Sequence, residues 1–245
     1  MNGQARVPES GSVVAELGKR SRNQQKRVIL ATAIPCFATS VIPAAPCPTA
    51  TLATYLALPA QGCTIADNVR VSTFDFQAIT GPATPSDINV APVVLPGFRL
   101  GLLFSSSDFS VTGTDTAEYH IEYVFDPTDI RSLRDVMKAS SPVFPGLAQV
   151  DTFGCKGAAF APTCPTSTLH LQVFDDGVTF VSTDEKPVIP PQTLLGVQHI
   201  IQLQANGASA DFDSLENTIT FVPEPATWAL VAAGLSALAL RRRSR

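Results

Sequence analysis

AEYHIEYVF, residues 117–125, is the stretch that decides the fold. In an extended chain Tyr119, Ile121, Tyr123 and Phe125 fall on one face, and His120, Glu122 and Val124 on the other. A helix would scatter those aromatics around its circumference. The same period-two alternation recurs outward from this point. Upstream, Val69, Val71, Phe74 and Phe76 mark a strand with an irregularity between Val71 and Phe74, followed by residues 98–104 and 109–112. Downstream come residues 147–153, 169–174, 178–181, 196–204 and 218–221. Turn-forming clusters separate these runs: Gly81-Pro82, Pro96-Gly97, Asp126-Pro127, Asp175-Asp176-Gly177 and Asn206-Gly207. Asp176-Gly177 between two apolar runs predicts a hairpin. Many short strands with regularly spaced turns predict a mainly β fold, an antiparallel β-sandwich of jelly-roll or Ig-like type.

Two segments depart from that period. In residues 49–58, Leu52, Tyr55 and Leu56 stand at i, i+3 and i+4, which predicts a short N-terminal helix stopped by Pro59. In residues 129–140, Ile130, Leu133, Val136 and Met137 fit helix spacing better than strand spacing, whereas the surrounding strands argue the other way. Both readings stay open for that segment.

Composition narrows the function. With 45% hydrophobic residues the 245-residue chain is too apolar for intrinsic disorder. Its charge is unevenly spread: residues 46–222 hold seven Lys/Arg against eighteen Asp/Glu, a net charge of −11. So acidic a body repels phosphate backbones, which excludes nucleic acid as the expected partner. Both termini are basic. A polar, basic stretch ending in Lys26-Arg27 precedes an uncharged apolar run, residues 28–45, with small residues at its exit. Those three parts predict a signal-peptide region over 1–45, removed by signal peptidase. Pro35 and Pro43 argue against a core helix there.

At the other end Pro223-Glu224-Pro225 precedes fifteen uncharged residues, 226–240, and the tail Arg241-Arg242-Arg243-Ser244-Arg245. An amphipathic core helix carries a polar stripe, and this run is apolar all round, so a transmembrane helix is expected. Fifteen residues make only about 22 Å of helix against a hydrocarbon core of roughly 30 Å. Arginine stems at Arg241, Arg242 and Arg243, just past Leu240, extend the usable span, and Trp228 suits the opposite interface. The arginines should stay on the cytoplasmic side. The expected organisation is therefore a signal region 1–45, an acidic sandwich 46–221 and a terminal signal 222–245.

VPEPATWALVAAGLSALALRRRSR, residues 222–245, resembles a PEP-CTERM sorting signal, with Pro223, Glu224 and Pro225 in the motif positions. The resemblance implies a precursor held in the inner membrane of a Gram-negative bacterium and handed to an exosortase. From there it would pass to the outer surface or the exopolysaccharide matrix. Less specifically, Cys47-Pro48-Thr49, Leu52-Ala53, Tyr55-Leu56 and Gly62-Cys63-Thr64-Ile65 resemble a group of PEP-CTERM proteins with a helix between two cysteines. That second resemblance bears on architecture alone.

Cys36 lies in the apolar run and would leave with the signal peptide, so Cys47, Cys63, Cys155 and Cys164 remain. An even number in an oxidising compartment predicts disulfides. Of the three possible pairings, the local one, 47 with 63 and 155 with 164, closes short loops. The spacings fit no common zinc pattern.

The residues carry no Gly-x-Ser-x-Gly elbow, His-Glu-x-x-His, P-loop or dinucleotide fingerprint. The expectation is a protein that is not an enzyme and takes no cofactor, with a structural or interaction role. The alternative is a carbohydrate- or calcium-binding module. For calcium the candidates are Asp126 with Asp129, Asp175 with Asp176, and Asp211 and Asp213 with Glu216. For sugar stacking they are Tyr119 and Tyr123, a pair more often found in a core. His120, His170 and His199 are each expected as sheet-surface or half-buried strand residues.

Overall fold

Alternation carries through into strands that pair edge to edge. The computed structural model describes residues 44–126, 129–160 and 163–222. The expected signal region up to residue 43, and Pro223, Glu224, Pro225, Trp228, Leu240 and Arg241 to Arg243, lie outside the described residues.

In chain order the elements begin with β1 (Ala45–Pro46), β2 (Ala50–Thr51), helix α1 (Leu52–Leu56) and β3 (Cys63–Ile65). Then follow β4 (Val69–Thr80), β5 (Asn89–Leu95), β6 (Arg99–Ser105), β7 (Ser110–Gly113), β8 (Thr116–Asp126) and β9 (Ile130–Lys138). The remainder are β10 (Leu147–Lys156), β11 (Thr168–Asp175), β12 (Phe180–Val181), β13 (Thr183–Gln192), β14 (Leu195–Gln204), β15 (Ala208–Asp211) and β16 (Ser214–Phe221). One sheet has the order β1-β3-β4-β8-β14-β10-β11-β12, the other β13-β9-β16-β6-β5-β2, and β15 pairs with β7 in a separate ribbon. Apart from the short parallel pair β1–β3 the ladders are antiparallel. The two sheets face each other across one apolar core. Phe104 of β6 meets Tyr123 of β8 and His199 of β14, each at 5.6 Å between ring centres.

β8 follows its sequence pattern: Tyr119, Ile121, Tyr123 and Phe125 are buried while His120 and Glu122 are half-exposed. The open segment at 129–140 is strand. β9 runs between β16 and β13, and two ladders outweigh a weak helical spacing. Its buried positions Leu133, Asp135 and Met137 do alternate, and an aspartate in the core series is what hid the period. The helix expected over 49–58 is shortened to Leu52–Leu56, because Ala50 and Thr51 pair with Val90 and Asn89 instead. Leu52 and Tyr55 are its buried residues, and the Tyr55 hydroxyl donates to the Pro48 carbonyl at 2.5 Å. Strand β12 covers only Phe180–Val181, with Val178 exposed in the turn.

Strands β5 and β13 carry prolines and no clean alternation. Pro187, Pro190 and Pro191 of β13 lie on a sheet edge, where no neighbour asks for the missing donor. In β5, Pro92 pairs with Leu102 of β6, while β2 reaches only Asn89 and Val90 on the other side. Both expected disulfides form, Cys47–Cys63 around α1 and Cys155–Cys164 between β10 and β11.

Candidate ligand-binding face

The outward side chains of the eight-stranded sheet line up in register. One row reads Gln77, His120, Ile200, Asp151 and Gln172, and the next Asp75, Glu122, Gln198, Phe153 and His170. A third row places Glu118, Gln202, Gln149 and Phe174 side by side. The result is a carpet of amides and carboxylates with a few apolar faces among them.

Hydrogen bonds tie the carpet together both along strands and across them. Gln198 donates to Glu122 Oε1 at 2.5 Å, and His120 Nε2 lies 2.9 Å from Glu118 Oε1. Asp151 gathers Gln149 at 2.5 Å, Gln172 at 3.1 Å and His170 Nε2 at 2.7 Å. The His170 ring stacks on Phe153 with centres 4.8 Å apart.

A bulge in β4 determines which residues reach this face. Ser72 pairs with Val124 and Asp75 with Glu122, so Thr73 and Phe74 together oppose Tyr123. Thr73 takes φ of 58°, a conformation rare outside glycine. The extra residue shifts the alternation by one, turning Phe74 inward onto Tyr55 and Tyr123 and leaving Asp75 and Gln77 outside. At the bulge a cleft of about 590 Å³ opens, lined by Asp75, Gln77, His120, Glu122 and Gln198, with Ala159 and Phe160 on its rim. The rim segment is held where it leaves β10: Gly157 donates to Leu194 and Gly196 to Ala158, beside the Cys155–Cys164 bond.

A second polar group lies inside the sandwich. The Tyr123 hydroxyl donates to Asn217 Oδ1 at 2.6 Å, so it accepts from His199 Nε2 at 2.9 Å. His199 Nδ1 then accepts from the Thr152 hydroxyl at 2.6 Å. Asn217 Nδ2 in turn donates to Asp135 Oδ1 at 2.6 Å. Five residues on β8, β14, β10, β16 and β9 form one chain of bonds across both sheets. Burial holds His199 neutral, its pKa lowered to about 3, and pushes the Tyr123 hydroxyl well above its ordinary value. Burial also raises Asp135 to about 6, against the opposing pull of the polar Thr152 and Asn217 side chains and with the help of nearby Asp184. Its Oδ2 has no hydrogen-bond partner. The whole chain is closed to solvent, so it serves the fold and cannot meet a substrate.

These placements correct several expectations. His199 is wholly buried, neither on the sheet surface nor half-buried, because its alternation on β14 points it between the sheets. Tyr119 and Tyr123 are buried core residues and offer no platform to sugar. His120 and His170 do lie on the outer face. Among the proposed calcium acids, Asp126 binds Arg70, Asp129 binds Arg131, and Glu216 binds Lys138 at 2.6 Å. Asp175 and Asp176 accept from backbone amides of their own turn, and Asp211 accepts from Ser141. Among the described residues no group of three or more His, Cys, Asp or Glu could hold a metal ion. Among them, too, no helix is long and apolar enough to cross a membrane. Sequence reasoning missed the outer face. Its glutamines are unremarkable singly, and only the register brings them together.

No curated protein matches the chain. Among solved structures the chain is similar to TmCBM61 in complex with β-1,4-galactotriose, at 5% identity and a TM-score of 0.27, over 59% of this chain and 86% of that one. It is also similar to the family 11 carbohydrate-binding module from Clostridium thermocellum in complex with a β-1,3-1,4-mixed-linked tetrasaccharide. There the identity is 12% and the TM-score 0.24, over 62% of this chain and 90% of that one. Residues 221–243 match the PEP-CTERM protein-sorting motif, so the strand that ends the sandwich runs directly into a sorting signal of that class.

Proposed function

We propose that the protein is a non-enzymatic, surface-displayed module that binds extracellular polysaccharide through the outer face of its eight-stranded sheet. The observation that carries this reading is the register-aligned array of Asp75, Gln77, Glu122 and Gln198 around a cleft rimmed by Phe160. A polysaccharide presents hydroxyls that both donate and accept, and glutamine amides beside carboxylates match both roles. The half-exposed Phe160 and the Phe153–His170 stack supply apolar faces for sugar rings. The acidic body favours a neutral or cationic glycan over an acidic one. Sorting to the cell surface, the direction that the PEP-CTERM motif implies, brings this face to the compartment where such polymers are made. Exosortase and signal peptidase act as processing partners on the way, with the inner membrane as the precursor's station.

Catalysis has less support. The two outer-face histidines bond to Glu118 and Asp151 and the third is sealed in the core. A glycan array probed with the purified full-length protein in detergent tests the reading. Binding lost in Glu122→Ala and Gln198→Ala, with unchanged thermal unfolding, is expected. A blank array, or binding indifferent to both substitutions, overturns it.

A further inference from the structure

The last strand leaves almost no slack before the sorting motif. Phe221 is 3% exposed and donates its N–H to the Phe98 carbonyl at 3.2 Å. Val222 donates to the Asp129 carbonyl at 3.0 Å, and Pro223 follows at once. Only four residue steps separate Val222 from Ala226, where the uncharged apolar run begins. Fully extended, four residues span about 14 Å. A headgroup layer is roughly 5–8 Å thick on each side of the hydrocarbon. Even at full extension this end of the body therefore stays within about 6–9 Å of the headgroup surface.

The end of the sandwich that meets this constraint is suited to it. Phe98, at the tip of the β5–β6 turn, is 61% exposed, and its ring meets Phe221 edge-on at 6.2 Å. Val94 of the same hairpin and Val222 are exposed beside it. The charges at this end are balanced: Arg70 with Asp126, Arg131 with Asp129, Arg99 with Glu185. The acids crowd the opposite end, with Asp87, Asp108, Asp175, Asp176, Asp211 and Asp213 in or beside the loops where β5, β7, β12 and β16 begin. An anionic lipid surface repels that end and tolerates the other.

We propose that the end of the sandwich around Phe98 and Val222 is a membrane-apposed face, seated on the phospholipid headgroups with Phe98 entering them. Strand β16 then runs toward the bilayer and its antiparallel neighbour β6 away from it, and the polar outer face of the eight-stranded sheet stands upright to it. The proposal rests on residues 226–240 spanning the membrane.

Full-length precursor in vesicles of phosphatidylethanolamine and phosphatidylglycerol, with shallow spin-labelled lipid as quencher, tests it. Trp228 is the sole tryptophan, so its own quenching reports insertion of the anchor. In a Trp228→Phe background, Phe98→Trp should be quenched at least twofold more than Phe144→Trp, which sits in an exposed loop at the acidic end. Inserting ten Gly/Ser residues between Val222 and Pro223 should relieve quenching at position 98 and leave that of Trp228 unchanged. If Trp228 is quenched but the Phe98→Trp variant is not, the apposed face is refuted while the anchor stands. If Trp228 is not quenched, the anchor falls and the proposal falls with it. Quenching at position 98 that survives the insertion refutes the tether as its cause.

Discussion

Replacing Asp135 with asparagine should make the protein more stable at neutral pH. Asp135 is fully buried on β9, accepts from Asn217, and leaves Oδ2 without a partner. Its carboxyl is raised from 3.8 to about 6. A raised carboxyl contributes stability that is fully present below the unfolded value and is lost as pH climbs through the folded one. At 1.36 kcal/mol for each pH unit, ionisation inside the core costs about 3 kcal/mol by pH 7. Asparagine keeps the acceptor for Asn217 and brings an amide that can donate toward the Thr152 hydroxyl beside it. Urea unfolding of wild type and Asp135→Asn from pH 3.5 to 8, disulfides intact, isolates the effect, because the other titrating groups cancel in the difference. The stability difference should rise by about 3 kcal/mol between roughly pH 4 and 6 and stay flat above. A flat difference curve throughout, or a variant weaker than wild type at pH 8, would refute the reasoning.

His199 titrates in the opposite sense. Held neutral down to about pH 3, it withholds a proton that the unfolded chain takes up below 6.5, so the fold loses stability as pH falls through that window. His199→Gln should cost about 1–3 kcal/mol at pH 8 by unsettling Thr152 or Tyr123, with the deficit shrinking toward pH 4 in urea melts. A Cβ added to Gly101 would lie 1.9 Å from the Asn217 carbonyl oxygen, a backbone atom of the adjacent strand. Gly101→Ala should therefore destabilise by about 3 kcal/mol, read as a lowered urea midpoint at unchanged slope. Removing Cys47 and Cys63 together opens a loop of sequence separation 16, so the double serine variant should lose about 3 kcal/mol under oxidising conditions. Calcium and chelator should each leave the thermal midpoint where it was, since Asp126, Asp129, Asp175, Asp176, Asp211 and Glu216 are held by arginine, lysine, serine or their own turns. A calcium-dependent rise would reopen that reading.

Period-two alternation in residues 117–125 was sufficient for β8, because a strand with one buried face writes that face into its own sequence. The local disulfide pairing and the sorting motif were legible for the same reason, being properties of short contiguous stretches. β9 was not, since a core position there is an aspartate whose acceptance into the interior depends on Asn217, 82 residues away. Nor were β5 and β13, whose prolines are tolerable only where one flank lacks a neighbouring strand. His199 reads as one more strand residue until the sheets stack and set Thr152 and Tyr123 against its two nitrogens.

The outer face belongs to the same class of fact. Gln77, Glu122, Gln198 and Asp151 come from four strands, and a one-residue bulge at Thr73 decides whether Asp75 and Gln77 join them. The amino-acid sequence by itself determined where this protein is sent and that its body is built of strands, because addresses and alternation are local. Which polar groups meet, and from which end of the body the sorting signal departs, only the tertiary structure decided, because both depend on how distant strands are registered and where the last one stops.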